Sequence, residues 1–193
     1  WDSYQHGRPR IIPDVALIRP AGAAIRGFGG VASGPDPLLE AFRELECVLE
    51  LAADDWLSSR TIVDAANIVG KCVVAGNVRR SAEIALGSPN DPEFLELKNP
   101  EAFGGWAALE EARPWYWLSN NSLLVDGPDD EPDYDAVARR IYENGEPGVV
   151  WMDDARRYGR YGEERLDWDA EGVNPCAEQQ LGHREMCTLV EVF

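Results

Sequence analysis

Asp133-Tyr134-Asp135-Ala136-Val137-Ala138-Arg139-Arg140-Ile141-Tyr142-Glu143-Asn144-Gly145, followed at once by Gly148-Val149-Val150-Trp151-Met152, decides the fold class. Asp133 can cap a helix by accepting its first free amides. Val137, Ala138, Ile141 and Tyr142 fall on one helical face, and Gly145 supplies the left-handed stop. The short apolar run 148–152 then reads as a strand. A helix leading directly into a buried strand is the building unit of an α/β fold.

The same alternation extends toward the N-terminus. Trp115–Val125 is apolar and aromatic, interrupted by Ser119-Asn120-Asn121-Ser122. Ala82-Glu83-Ile84-Ala85-Leu86 reads as a strand, and so does Cys72-Val73-Val74-Ala75. A helix spans Thr61 to Ile68 and stops at Gly70. Another begins at Asp36, with Leu38, Leu39, Phe42, Leu45, Val48, Leu49 and Ala52 on one stripe and Cys47 off it. A short helix is expected near Pro92–Leu97 and a polar connection over residues 153–172. The Gly- and Pro-rich stretch Gly27–Pro35 reads as a flexible loop, with phosphate cradling by its amides as the alternative. Trp115, Tyr116 and Trp117 read as core aromatics.

The 193 residues carry 35 acidic and 18 basic side chains, a net charge of −17. An acidic surface of this kind argues against nucleic-acid coating, which needs phosphate neutralisation. Positive excess is confined to residues 1–35 and 61–90, where a small anion such as a nucleotide could bind. No run is long and apolar enough to span a membrane, and no secretion signal opens the sequence. Four cysteines (Cys47, Cys72, Cys176, Cys187) form no C-x-x-C pair, and His6 and His183 stand alone, so no metal site is expected. The expectation is reduced thiols in the cytoplasm. Position 1 is Trp, and Leu189–Phe193 reads as an unfinished strand. The chain therefore reads as an excerpt, expected to expose strand edges and aggregate if made alone.

Chemistry concentrates in Gly172-Val173-Asn174-Pro175-Cys176-Ala177-Glu178. On extended backbone, Asn174, Cys176 and Glu178 would share one side. Pro175 is unwelcome in a central ladder and suggests a loop tip held in a cavity. The competing interpretation is a buried cysteine at a strand end. Cys187 follows eleven residues after Cys176. A turn near Gly182 would bring the second thiol back, and two thiols with a carboxylate suggest redox or radical chemistry. Otherwise Cys187 is a core residue of a strand Met186–Phe193.

Asn174-Pro175-Cys176-Ala177-Glu178 resembles the finger-loop motif of ribonucleotide reductases. Lys71–Ile84, Arg26-Gly27-Phe28-Gly29-Gly30, Ser119-Asn120-Asn121-Ser122 and Gly145-Glu146-Pro147-Gly148 resemble the adenosylcobalamin-dependent (class II) branch, most of all its monomeric ribonucleoside-triphosphate reductases. Each motif is short, but their order and spacing run nearly end to end. The resemblance implies a ten-stranded α/β barrel, of which residues 1–193 form a catalytic fragment with the finger loop at about 172–180. It implies Cys176 as a thiyl radical, Glu178 as base on the ribose 3′ hydroxyl, and Asn174 as a hydrogen-bonding partner of the substrate. Cys187 becomes one of two reducing thiols. Its partner is expected on an earlier strand outside these residues, and Cys72 is read as structural.

The loop 76–81, with Arg79, Arg80 and Ser81, resembles the family's loop that relays effector identity to the substrate base, and guanidinium groups can bind phosphate bidentately or stack on bases. A basic surface turn is the plainer interpretation of that loop. Adenosylcobalamin is the implied cofactor; the sequence has no Asp-x-His-x-x-Gly signature, which this branch does not use. Implied partners are a ribonucleotide, deoxynucleotide or ATP effectors and a thioredoxin-type reductant. Two other readings stay open: a reductase of another class, with a different radical starter or a diphosphate substrate, and a non-catalytic nucleotide-binding domain using Arg79 and Arg80.

Overall fold

The computed structural model describes residues 12–27, 29–52, 56–76, 81–162 and 165–188. They divide into two compact units. The first takes the chain up to residue 82 together with 113–118; the second takes 83–112 together with 119 onward.

The first unit is built on two helices, α1 (Asp36–Leu51) and α2 (Ser59–Val74). Lys71, in the last turn of α2, reaches Glu40 and Glu44 of α1 at 2.8 and 2.7 Å, tying the two helices together. Between them lie Ala41, Ile68 and Trp115, with Leu45, Val48 and Cys72 packed alongside. Ser58 caps α2 by accepting the Thr61 amide at 3.3 Å. Ahead of the helices, an isolated antiparallel bridge pairs Ala24 with Val31.

Two expectations fail here. The run Cys72–Val74 is the last turn of α2 and no strand, and Gly70 does not stop the helix. Helical periodicity continues through both: Val63, Asp64, Asn67, Ile68 and Gly70 are buried, and Cys72 packs on the α1 side. An interior glycine costs a helix about 1 kcal/mol relative to alanine, and tertiary packing of that face outweighs it. Beyond residue 76, the loop with Arg79 and Arg80 lies outside the described residues. Ser81 is half-buried in irregular backbone.

The core of this unit is partly polar. Asp64, 4% exposed, accepts the Arg113 Nε at 2.9 Å and the Trp115 indole N–H at 2.7 Å. Segment 113–118 is thereby fastened to α2. Trp115 is core as expected, whereas Trp117 is exposed and donates to the Pro114 carbonyl at 2.9 Å.

The second unit contains a parallel sheet of β1 (Glu83–Gly87), β2 (Ser119–Val125) and β3 (Gly148–Trp151), in the order β1-β2-β3. This agrees with the α/β class. Ile84 is level with Asn120 and Leu86 with Ser122. Short helices α3 (Pro92–Leu95) and α4 (Trp106–Ala112) follow β1. Helix α5 (Tyr134–Asn144) joins β2 to β3. Its ends are as the sequence implies: Asp133 accepts the Asp135 and Ala136 amides at 3.1 Å, and Gly145 sits at φ 82°.

Gly87 is required by contact: a Cβ there would lie 2.3 Å from the Phe94 ring. Leu97, Leu109, Leu123 and Met152 are almost wholly buried. Lys98 donates to the Ser119 carbonyl and pairs with Glu146 at 2.9 Å, while Asn144 donates to the Lys98 carbonyl at 2.9 Å. The Gly145–Gly148 link is thus tied to the start of β2.

The polar stretch after β3 is not all connection. Helix α6 (Met152–Tyr158) follows at once. Its composition hides it, because only Met152 is buried. The helix is favoured by Asp153 and Asp154 in its first turn and Arg156 and Arg157 in its last, matching the helix dipole. A two-stranded antiparallel hairpin closes the described chain, β4 (Gly172–Val173) with β5 (Gln180–Leu181). Residues 186–188 carry no regular strand, and 189–193 lie outside the described residues.

Candidate active site

The hairpin of β4 and β5 holds the residues singled out from sequence. Its six-residue loop is braced from within by Asn174. The Asn174 amide donates to the Gln179 carbonyl at 3.0 Å, and its side-chain Oδ1 accepts the Gln179 amide at 3.0 Å. Its carbonyl accepts the Ala177 amide at 2.8 Å. Asn174 is only 3% exposed, and its own polar groups are paired, as buried ones must be. Ala177 takes a left-handed φ of 62°, uncommon for a residue with a Cβ.

This turn overturns the expected extended row. Asn174 faces inward, while Cys176 and Glu178 are both exposed on the outer side of the loop. Proline, together with the Asn174 side chain bonding the amide five residues on, closes the chain into a turn before a second extended residue can form.

The loop is seated on the sheet. Asn120 on β2 donates from Nδ2 to the Pro175 carbonyl at 2.7 Å. At the other end of the hairpin, a Cβ on Gly172 would stand 3.1 Å from Leu86 of β1. Leu86 is level with Ser122, two residues along from Asn120, so Leu86 and Asn120 belong to the same face of the sheet. The hairpin therefore lies along that face, touching it at base and tip. Sequence reasoning assigned Asn120 no such role; its only signal was its place in the polar run Ser119–Ser122 ahead of Leu123–Val125.

Cys187 returns to the hairpin, where its contact is with Asn174. Asn174 Nδ2 donates to its Sγ at 3.4 Å. That contact joins the amide to the second thiol and leaves the first on the outer surface. Gly182 is needed at the bend, since a Cβ would lie 2.5 Å from the Asp169 carbonyl oxygen.

Three charged groups hold this return path. Arg160 grips Asp167 with Nε at 2.5 Å and Nη2 at 3.0 Å, and also pairs with Glu185. Glu185 in turn accepts the Gly182 amide at 2.7 Å. The Arg160 guanidinium holds the buried Asp167 carboxyl below the usual carboxylate range. The Gly182 amide, then Arg160, does the same for Glu185. Arg156 adds a bidentate grip on Asp126 and donates to the Ala170 carbonyl at 3.2 Å.

Cys72 has a different environment. Packed against the helix pair, its thiol is pushed up by burial. A raised thiol pKa lowers the thiolate fraction and reactivity, in keeping with a structural cysteine. Among the described residues, no group of three or more His, Cys, Asp or Glu side chains is placed to hold a metal ion. No described helix is long and apolar enough to cross a membrane.

Comparison with known proteins agrees with the motifs. A family model described as "B12-dependent ribonucleotide reductase, insertion domain" matches residues 2–49. The adenosylcobalamin-dependent ribonucleoside-triphosphate reductase of Lactobacillus delbrueckii subsp. bulgaricus is 43% identical over 189 residues, covering 96% of this chain and 24% of the relative. A probable enzyme of the same name from Dictyostelium discoideum is 42% identical over 195 residues, covering 100% of this chain and 24% of the relative. The Lactobacillus helveticus enzyme is 40% identical over 195 residues, with 100% and 25% covered. No solved structure matches. The thiol-bearing hairpin laid on a parallel sheet and these likenesses together point to the ribonucleotide reductase class. Within that class the chain is similar to the B12-dependent reductases over nearly its whole length, and it spans about a quarter of the length of the curated relatives it matches.

Proposed function

We propose that this chain supplies the radical-bearing part of an adenosylcobalamin-dependent ribonucleoside-triphosphate reductase, a cytoplasmic enzyme making 2′-deoxyribonucleotides for DNA synthesis. The observation that carries the reading is the hairpin at 172–181, anchored on one face of a parallel sheet with its thiol and carboxylate presented outward. In the complete protein that face becomes the interior of a ten-stranded barrel, to which residues 1–193 contribute. The chain's first 49 residues include the match to the family's insertion domain.

Cys176 takes the ribose 3′ hydrogen. A thiol S–H and a ribose C–H are close enough in strength for that exchange to run near balance. Glu178 removes the 3′ hydroxyl proton, which helps the substrate radical lose its 2′ hydroxyl as water; a positioned base is worth about 10²–10⁴-fold. Asn174, paired inward without substrate, exchanges a partner for a substrate hydroxyl. Cys187 and a second thiol give two electrons and two protons and close to a disulfide. The net change is ribonucleotide plus dithiol to deoxyribonucleotide, water and disulfide, and a thioredoxin-type dithiol reopens the bridge.

Bound adenosylcobalamin would supply the radical equivalent. What this asks of the chain is an accessible thiol on an ordered loop, and Cys176 meets that demand. No described residue is assigned to holding the corrin. Loop 76–81, with Arg79, Arg80 and Ser81, serves effector and substrate discrimination.

The test uses the complete protein with a ribonucleoside triphosphate and a dithiol, with and without adenosylcobalamin. Deoxynucleotide should form only with the cofactor. Equal product without it assigns the protein to another class, and nucleotide binding without product under any condition makes it a non-catalytic binding domain.

A further inference from the structure

We infer that Arg160 and Glu185 are positioning residues for Cys187. The inference rests on the reading of Cys187 as a reducing thiol and adds how its sulfur is placed. Cys187 belongs to a stretch with no strand to hold it: residues 185–188 are irregular and exposed. Something else must set the sulfur within 3.4 Å of Asn174 Nδ2.

Charged contacts provide that hold. Arg160, just beyond the end of α6, uses its fork twice. One edge binds Asp167, which is 1% exposed and so cannot move without stranding a buried charge. The remaining nitrogen pairs with Glu185, two residues before Cys187. Glu185 also accepts the Gly182 amide at 2.7 Å, which locks the bend preceding it. Gly182 sits so close to the Asp169 carbonyl that no side chain fits there. Arg184, between them, is left-handed at φ 63°. The path from the buried Asp167 through Arg160 to Glu185 thus fixes a bend that the backbone alone does not favour. The carboxylate closes a ring of contacts whose open end is the thiol.

Arginine suits this task where lysine does not. Its planar fork serves both carboxylates at once, while an ammonium on a flexible stem meets one of them. A displacement near 1 Å at a reacting group costs on the order of 10²-fold in rate, so the contact can matter even though Glu185 is solvent-exposed.

The experiment uses the full-length enzyme with Glu185→Ala, Glu185→Gln, Arg160→Lys and Cys187→Ser, assayed with adenosylcobalamin and a dithiol. Glu185→Ala should lower kcat about 10- to 100-fold, with the nucleotide KM and the thermal midpoint unchanged. Glu185→Gln, which keeps an acceptor for Gly182, should recover part of that loss. Arg160→Lys should resemble Glu185→Ala. Alkylation by iodoacetamide, followed by mass spectrometry, should quicken several-fold at Cys187 in these variants and stay constant at Cys176. The inference is overturned if Glu185→Ala turns over like the parent, or if both thiols quicken together while the thermal midpoint falls. Cys187→Ser separates the two levels. If it is inactive while Glu185→Ala is parental, only the positioning role fails. If it retains full turnover, the reading of Cys187 falls, and this inference with it.

Discussion

Asp64 and Asn174 are both buried polar residues, one in each unit, and they are used in opposite ways. Around Asp64 the polar groups consume one another: the carboxylate meets Arg113 and Trp115, and all three are almost fully buried. Around Asn174 only the amide is enclosed. The thiol and the carboxylate that follow it face outward. A polar cluster closed on itself can fix a fold but offers nothing to a substrate. A buried amide that stiffens a turn while its neighbours stay accessible is how a chain presents reactive groups in a set geometry.

The comparison can be broken at several points. The largest effect is expected from Asp64→Ala, which removes the carboxylate that the buried Arg113 and Trp115 share. It should cost the complete protein about 3–5 kcal/mol in denaturant unfolding. A loss under 1 kcal/mol would mean that water already reaches the pair. Glu178→Gln comes next. Turnover should fall about 10²–10⁴-fold while unfolding is unchanged, because the side chain is exposed. A stability loss with normal turnover would reverse the assignment. Asn120→Ala is the mildest. It removes one hydrogen bond to the hairpin tip, worth about 1 kcal/mol. Hydrogen exchange over residues 174–179 should quicken, with the helices of the first unit unaffected. No change there would mean that the tip is not held by the sheet.

How much of this could be read in advance depends on where the information resides. The cap at Asp133 and the stop at Gly145 are local chemistry, and α5 has the bounds they imply. Strands β1 and β3 are short, largely apolar runs and were equally legible, whereas β2 opens with the polar run Ser119–Ser122, which local patterning sets apart from the apolar residues after it. Cys72–Val74 was misread because β-branched residues suit both a strand and a buried helix face; the choice was made by packing against α1, invisible to a local window. Helix α6 escaped notice since one buried residue leaves no periodicity to detect.

At the candidate site, the residue types stood out by spacing, but their orientation did not. Period-two alternation assumes an extended chain, and Asn174 bonding the Gln179 amide folds it instead. Asn120 and Arg160 act across 55 and 25 residues of sequence respectively, distances at which no motif connects them to the loop.

The central claim is that the hairpin, and not the helical core, carries the reactive sulfur. Serine replacement of Cys176 and of Cys72, side by side in the complete protein, tests it most directly. Cys176→Ser should abolish deoxynucleotide formation while nucleotide binding and the thermal midpoint stay at parental values. Cys72→Ser should keep turnover and lower the midpoint. Activity surviving the first change, or lost with unchanged stability in the second, would contradict the account.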